Sequence, residues 1–120
     1  MSDKLNMRFE LSTKDIDIRH DFYGKKYALF TEEGMRATTY IERFAGIKLE
    51  GTYTGKAFAS LIADAEKQKL RDKVVLFWNT YNSVDFSGTL PTVDYHDLPE
   101  YFHHYFETEV QPLDKHLLMD

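Results

Sequence analysis

Apolar and polar positions change their period several times along this chain, and each change marks an expected element. Residues 14–20 alternate, Ile16 and Ile18 pointing one way and Asp15, Asp17 and Arg19 the other, the period-2 mark of a half-buried strand. Asp21-Phe22-Tyr23-Gly24 then reads as a turn. Thr31 has the hydroxyl of a helix N-cap, and Glu32 and Glu33 put negative charge where the first turn's free N–H groups favour it. That helix is expected to run to about Phe44, with an inner stripe of Ala37, Tyr40, Ile41 and Phe44, and to stop at Gly46, which tolerates a left-handed C-terminus. Residues 47–53 read as a short strand, and 55–69 as a helix burying Ala57, Phe58, Leu61, Ile62 and Ala65 while Asp64, Glu66, Lys67 and Lys69 lie largely outside. Val74-Val75-Leu76-Phe77-Trp78 is apolar at every position, as in a parallel strand covered on both faces. Residues 46–80 therefore read as a strand, helix, strand crossover, right-handed in about 98% of such units. Beyond Thr80 the pattern is weak until Leu98-Pro99-Glu100, where proline opens a helix over 99–109 with an aromatic face of Tyr101, Phe102, Tyr105 and Phe106.

The expected fold is α/β, a partial three-layer parallel sheet with helices, in one domain over 1–120 with a helical C-terminal tail over 91–120. No repeat, low-complexity tract or linker divides the chain. A hydrophobic content of 42% allows a core, whereas disordered chains lack the apolar surface to offset chain entropy. A net charge of −5 with no long basic run argues against nucleic-acid binding. The absence of cysteine excludes disulfides, thiolate metal sites and a Cys nucleophile. Residues 1–10 lack an apolar core of signal-peptide length, and 74–78 is too short to cross a bilayer, so no membrane is expected and the cytoplasm is the default location.

Candidate chemistry narrows by exclusion. In Gly51-Thr52-Tyr53-Thr54-Gly55-Lys56-Ala57 a Gly-Lys pair opens a helix after a strand, but a nucleotide phosphate loop needs four residues between its glycines and a Ser or Thr after Lys, and here there are three and then Ala57. The six glycines are too scattered for a dinucleotide fingerprint. His103 and His104 diverge by about 100° on a helix, no His pair has i, i+4 spacing, and His96 and His116 add no recognisable ligand set, so no metal is expected. No Gly-x-Ser-x-Gly elbow accompanies the Ser, His and Asp residues. There remain Tyr53 and Thr54 at the end of one expected strand and Asn79 and Thr80 at the end of the next, the edge where open α/β sheets bind ligands.

Tyr23-Gly24, Thr31-Glu32-Glu33-Gly34, Gly46-Ile47-Lys48-Leu49-Glu50-Gly51-Thr52-Tyr53-Thr54-Gly55-Lys56-Ala57 and Val75-Leu76-Phe77-Trp78-Asn79-Thr80 have an order and spacing that, over 15–83, resemble the C-terminal third of pyridoxal-phosphate (PLP) enzymes of the 1-aminocyclopropane-1-carboxylate deaminase and D-cysteine desulfhydrase kind. The resemblance implies fold type II, as in tryptophan synthase beta-like enzymes, with this region completing the larger α/β domain. It implies Tyr53 beside the cofactor ring and substrate as the catalytic residue, Thr54 and Asn79 lining the cofactor pocket, and Thr80 bonding the pyridine nitrogen. The chain departs from the family in having Glu50-Gly51 for Asp-Pro and Tyr81-Asn82 for the Gly-Gly that follows the later strand. The family's Schiff-base lysine and phosphate loop lie upstream of this region, and Lys25, Lys26 and Lys56 read as surface charges or, for Lys56, a first-turn helix residue.

The expected function is therefore the ring-side half of the PLP pocket in a deaminase or desulfhydrase, of lyase or hydrolase type, that acts on a small amino acid and is inactive as this chain alone. Its expected partner is the missing N-terminal portion, or another copy of itself, covering an exposed apolar sheet face or edge. The alternative is a non-catalytic α/β binding module that engages a partner through the aromatic helix 99–109.

Overall fold

The structure, a computed structural model, describes residues 12–113. The expectations for residues 1–10, His116 and the end of the tail lie outside this range. Two helices, α1 (Glu32–Ala45) and α2 (Thr54–Glu66), form the packed centre. Thr31 caps α1 as its sequence suggests, the Gly34 N–H donating to Thr31 Oγ1 at 3.1 Å. Gly46 ends α1 at φ 66°, a left-handed conformation that costs a residue with a Cβ roughly 1 kcal/mol.

The helices meet through small residues. Gly34, Ala37 and Thr38 on α1 and Thr54, Gly55 and Ala59 on α2 are buried. A Cβ on Gly55 would stand 2.7 Å from Thr38 Cγ2 and 3.0 Å from the Gly34 carbonyl oxygen, so any side chain there must push the two backbones apart. This close crossing shifts the expected stripes. Ala37 is buried and Ile41 half-buried, but Tyr40 and Phe44 are exposed and stack on each other with centroids 5.8 Å apart. On α2, Phe58, Leu61 and Ile62 are half-buried and Ala57 and Ala65 exposed. No helix among the described residues is long and apolar enough to cross a membrane.

The expected parallel sheet does not form, and the α/β assignment is corrected: the described residues contain helices and no strand. Residues 13–15 make a 3-10 turn capped by Ser12, and Ile16 and Ile18 beyond it are exposed. Residues 47–49 and 74–80 lie in irregular backbone, joined where Asn79 Nδ2 donates to the Lys48 carbonyl at 3.1 Å. A helix satisfies its N–H and C=O groups within its own segment, whereas a strand needs a hydrogen-bonded neighbour along at least one edge, which neither segment finds here. The second strand-like segment packs through Phe77, edge to face on Phe58 at 5.1 Å. Val74, Leu76 and Trp78 face outward, Leu76 at 84% and Trp78 at 79% exposure.

The helix expected over 99–109 is also corrected. Glu100–Phe102 is a 3-10 turn and α3 (His104–Glu107) a single turn, and Tyr101, Phe102, Tyr105 and Phe106 are exposed. Imidazoles compete for the backbone here, His103 Nε2 donating to the Leu98 carbonyl and His104 Nδ1 to that of Tyr101.

Arg19 ties the N-terminal segment to α2, reaching Asp21 at 2.6 Å and Asp64 at 2.9 Å, with Lys69 3.4 Å from the other Asp64 oxygen. The Arg19 hydrogen bond, assisted by the Asp21 backbone N–H, lowers the Asp21 carboxyl from 3.8 to about 2. A depressed carboxylate contributes stability above its unfolded value and loses it as pH falls through the folded one. The melting temperatures of the native chain and Arg19→Met should therefore differ at pH 5 and converge as pH falls toward about 2. A difference that persists unchanged below that pH would show that the ion pairs do not contribute.

Candidate functional site: the Glu50 to Lys56 turn

Tyr53 enters α2 through a turn organised by one carboxylate. Glu50 accepts the backbone N–H groups of Thr52, Tyr53 and Thr54 at 2.6, 2.7 and 2.8 Å. Its carbonyl takes the Gly55 N–H at 2.8 Å, and its own N–H donates to Thr54 Oγ1 at 2.9 Å. Burial works to raise the Glu50 carboxyl, but the donors at Thr54, Tyr53 and Thr52 outweigh it and hold the group below its usual range. The helix N-terminus, where a phosphate would otherwise bind, thus already holds an anion of its own. Gly51 is buried beneath this turn, where a Cβ would come within 2.7 Å of the Phe30 ring.

The Tyr53 ring is 57% exposed, and its hydroxyl is hydrogen-bonded to that of Tyr27. That bond, with burial and the nearby Tyr27 and Glu50 charges, raises the Tyr53 phenol above its usual value of 10. Tyr27 is a member of the site that sequence reasoning missed. It sits in a turn 26 residues upstream, and no local pattern signals the meeting.

The other expected site residues are placed differently. Thr54 is buried, its hydroxyl engaged with Glu50. The Asn79 amide is used at both ends, Nδ2 on the Lys48 carbonyl and Oδ1 accepting the Tyr81 N–H at 3.1 Å. Thr80 is exposed. Tyr53 and Thr54 are therefore brought together with Glu50 and Tyr27, while Asn79 is tied to the chain just ahead of them. A groove of about 730 Å3 between α1 and α2, lined by Phe22, Arg36, Tyr40, Leu61, Ile62 and Glu66 among others, contains none of these residues.

These side chains do not make a whole PLP site. A Schiff base needs an accessible amine and the phosphate needs free donors, but the α2 N–H groups are taken by Glu50. Lys56, read from the sequence as a surface charge or first-turn residue, is 7% exposed with Nζ on the Tyr23 carbonyl at 2.8 Å. Lys25, Lys26, Lys48, Lys67, Lys69 and Lys73 are exposed. Among the described residues, no group of three or more His, Asp or Glu side chains could hold a metal.

Comparison with known proteins gives one consistent result. Over 67 residues, 55% of this chain and 20% of the relative, the sequence is 39% identical to D-cysteine desulfhydrase of Yersinia enterocolitica. It is 38% identical over 66 residues to that of Yersinia pestis, and 37% identical over 73 residues to that of Klebsiella pneumoniae, covering 59% of this chain and 22% of the relative. The stretch shared with these curated relatives is about a fifth of their length. No family model and no solved structure matches the chain.

Proposed function

We propose that this chain is the C-terminal part of a PLP-dependent desulfhydrase or deaminase acting on a small amino acid such as D-cysteine, and that it supplies the wall beside the cofactor ring. The observation that carries the reading is the likeness to D-cysteine desulfhydrases over about a fifth of their length. The outward row of Val74, Leu76 and Trp78 supports it, because an apolar row of this kind is where further polypeptide packs.

PLP, when bound, draws electron density from the substrate's α-carbon. The Tyr53 hydroxyl, protonated at neutral pH like any phenol, would hold a proton beside the reacting atoms, with the Tyr27 hydroxyl as its hydrogen-bond partner. Thr80, whose side chain is exposed, would offer the pyridine nitrogen a hydroxyl, which would leave that nitrogen less strongly protonated than a carboxylate would. Thr54 acts through Glu50 by fixing the turn, and Asn79 by anchoring the chain ahead of Thr80 to Lys48.

The test combines this chain with a polypeptide carrying the remaining four fifths of the Yersinia enterocolitica enzyme and measures sulfide released from D-cysteine. The pair should release sulfide, neither piece should do so alone, and Tyr53→Phe in the pair should lower the rate by about 10²–10⁴-fold, the usual weight of a proton-transfer group. An unchanged rate in Tyr53→Phe would remove Tyr53 from the chemistry.

A further inference from the structure

Lys56 stands out because nothing above explains its charge. Its stem runs from the first turn of α2 past α1, where a Cβ on Gly34 would meet Lys56 Cγ at 3.3 Å. The ammonium ends under the turn at Tyr23 and Gly24, donating to the Tyr23 carbonyl at 2.8 Å with the Tyr23 ring centroid 5.7 Å away. No carboxylate among the described residues pairs with it. A buried ammonium is costly unless its protons are used, so an aliphatic side chain would be the better filler if packing were all that this position required. The use made of the charge is to fasten the start of the loop that carries Tyr27. The far end of that loop is held by Gln111, whose amide donates to the Ala28 carbonyl and accepts the Phe30 N–H at 3.2 Å. Tyr27 lies between the two fastenings, and Lys56 lies three residues after Tyr53 on the same helical turn.

We propose that Lys56 is a positioning residue whose buried ammonium, by clamping the Tyr23 carbonyl to the start of α2, holds the Tyr27 hydroxyl against that of Tyr53. The clamp's weight in catalysis rests on the reading of Tyr53 given above, but the clamp is a property of this chain alone. Its test therefore uses the full chain without PLP, so that its failure leaves that reading untouched, and loss of sulfide release in the combined enzyme leaves the clamp untouched.

The experiment follows the ionisation of Tyr53 by NMR of tyrosine labelled with carbon-13 at Cζ, assigned with Tyr53→Phe. In the native chain Tyr53 should ionise above the usual phenol value of 10. In Lys56→Met, which keeps the stem and removes the charge, it should fall back toward 10, as it should in Tyr27→Phe, and the double variant should add nothing further. A Tyr53 titration unchanged by Lys56→Met would overturn the proposal. Should Lys56→Met fail to fold, limited acetylation of the native chain decides: Lys56 should react at least about tenfold more slowly than Lys25 and Lys26, because its amine is reached only by local opening. Equal acetylation of the three would overturn the clamp.

Discussion

Replacing Gly55 with alanine (Gly55→Ala) is expected to lower the melting temperature of the chain by about 10 °C, corresponding to about 2 kcal/mol in a domain of this size. Of the three atoms the new Cβ would meet, Thr38 Cγ2 at 2.7 Å can move by rotation of its side chain. The other two cannot yield so easily. The Glu50 carbonyl oxygen at 2.9 Å and the Gly34 carbonyl oxygen at 3.0 Å are backbone, so the methyl must push α1 from α2 or displace the Glu50 turn. Alanine's better helix propensity offsets part of this, but at most about 1 kcal/mol and less near a helix end. Gly34→Ala provides the comparison, since its two tightest contacts, Thr31 Oγ1 at 3.0 Å and the Lys56 stem at 3.3 Å, are side-chain atoms, and the backbone atom it meets, Lys56 N at 3.4 Å, is at ordinary van der Waals distance. Thermal unfolding followed by circular dichroism should rank Gly55→Ala well below Gly34→Ala, and the reverse order would show that the helices do not cross at Gly55.

Glu50→Ala should cost about 2 kcal/mol, because it removes the charged acceptor from three backbone N–H groups at once. Glu50→Gln keeps an acceptor oxygen without the charge and should cost about half as much. The sign of the pH dependence follows from the depressed Glu50 carboxyl. Its contribution is complete above the ordinary value of 4.5 and declines as pH falls through the lower folded value, so the native chain and Glu50→Gln should converge in acid. The exposed helix N-terminus of Glu50→Ala should also gain an affinity for anions that the native chain lacks. Inorganic phosphate at millimolar concentration should raise the melting temperature of Glu50→Ala and leave the native chain unmoved, and an equal response of both would show that Glu50 does not occupy the helix end.

The features legible in the sequence are those determined within a few residues. Thr31 as a cap, Gly46 as a stop and the helical character of the chain after Tyr53 all follow from local hydrogen bonding, and the structure has them. The sheet was not legible in this sense. Alternation at Ile16 and Ile18 and the run from Val74 to Trp78 report a capacity to pair, and pairing requires strands that the described residues do not supply. The buried helix faces are legible only in part, Ala37 being buried and Phe58, Leu61 and Ile62 half-buried as expected but Tyr40 and Phe44 exposed, for a related reason. Large apolar residues mark an expected core, whereas α1 and α2 meet over Gly34, Thr38 and Gly55, which a hydrophobicity pattern passes over. In the candidate site, Tyr53 and Thr54 stand out in the sequence as the end of an expected strand and by the family resemblance, whereas the structure has no strand there and places them at the start of α2. Tyr27 and the burial of Lys56 were not, because both depend on a turn 26 or more residues away in sequence. Glu50 lay in plain view as a departure from the family's Asp-Pro, yet its role as the internal anion of α2 appears only with its three donors in place.

The central claim is that this chain forms a wall of a PLP site whose Schiff-base lysine lies in another part of the enzyme. Borohydride reduction in the presence of PLP, followed by peptide mapping, tests it most directly. The account predicts no site-specific lysyl adduct on this chain alone, and a single adduct on the added polypeptide when the remaining four fifths of the Yersinia enterocolitica enzyme are present. A specific adduct on any lysine of this chain, Lys56 included, would contradict it.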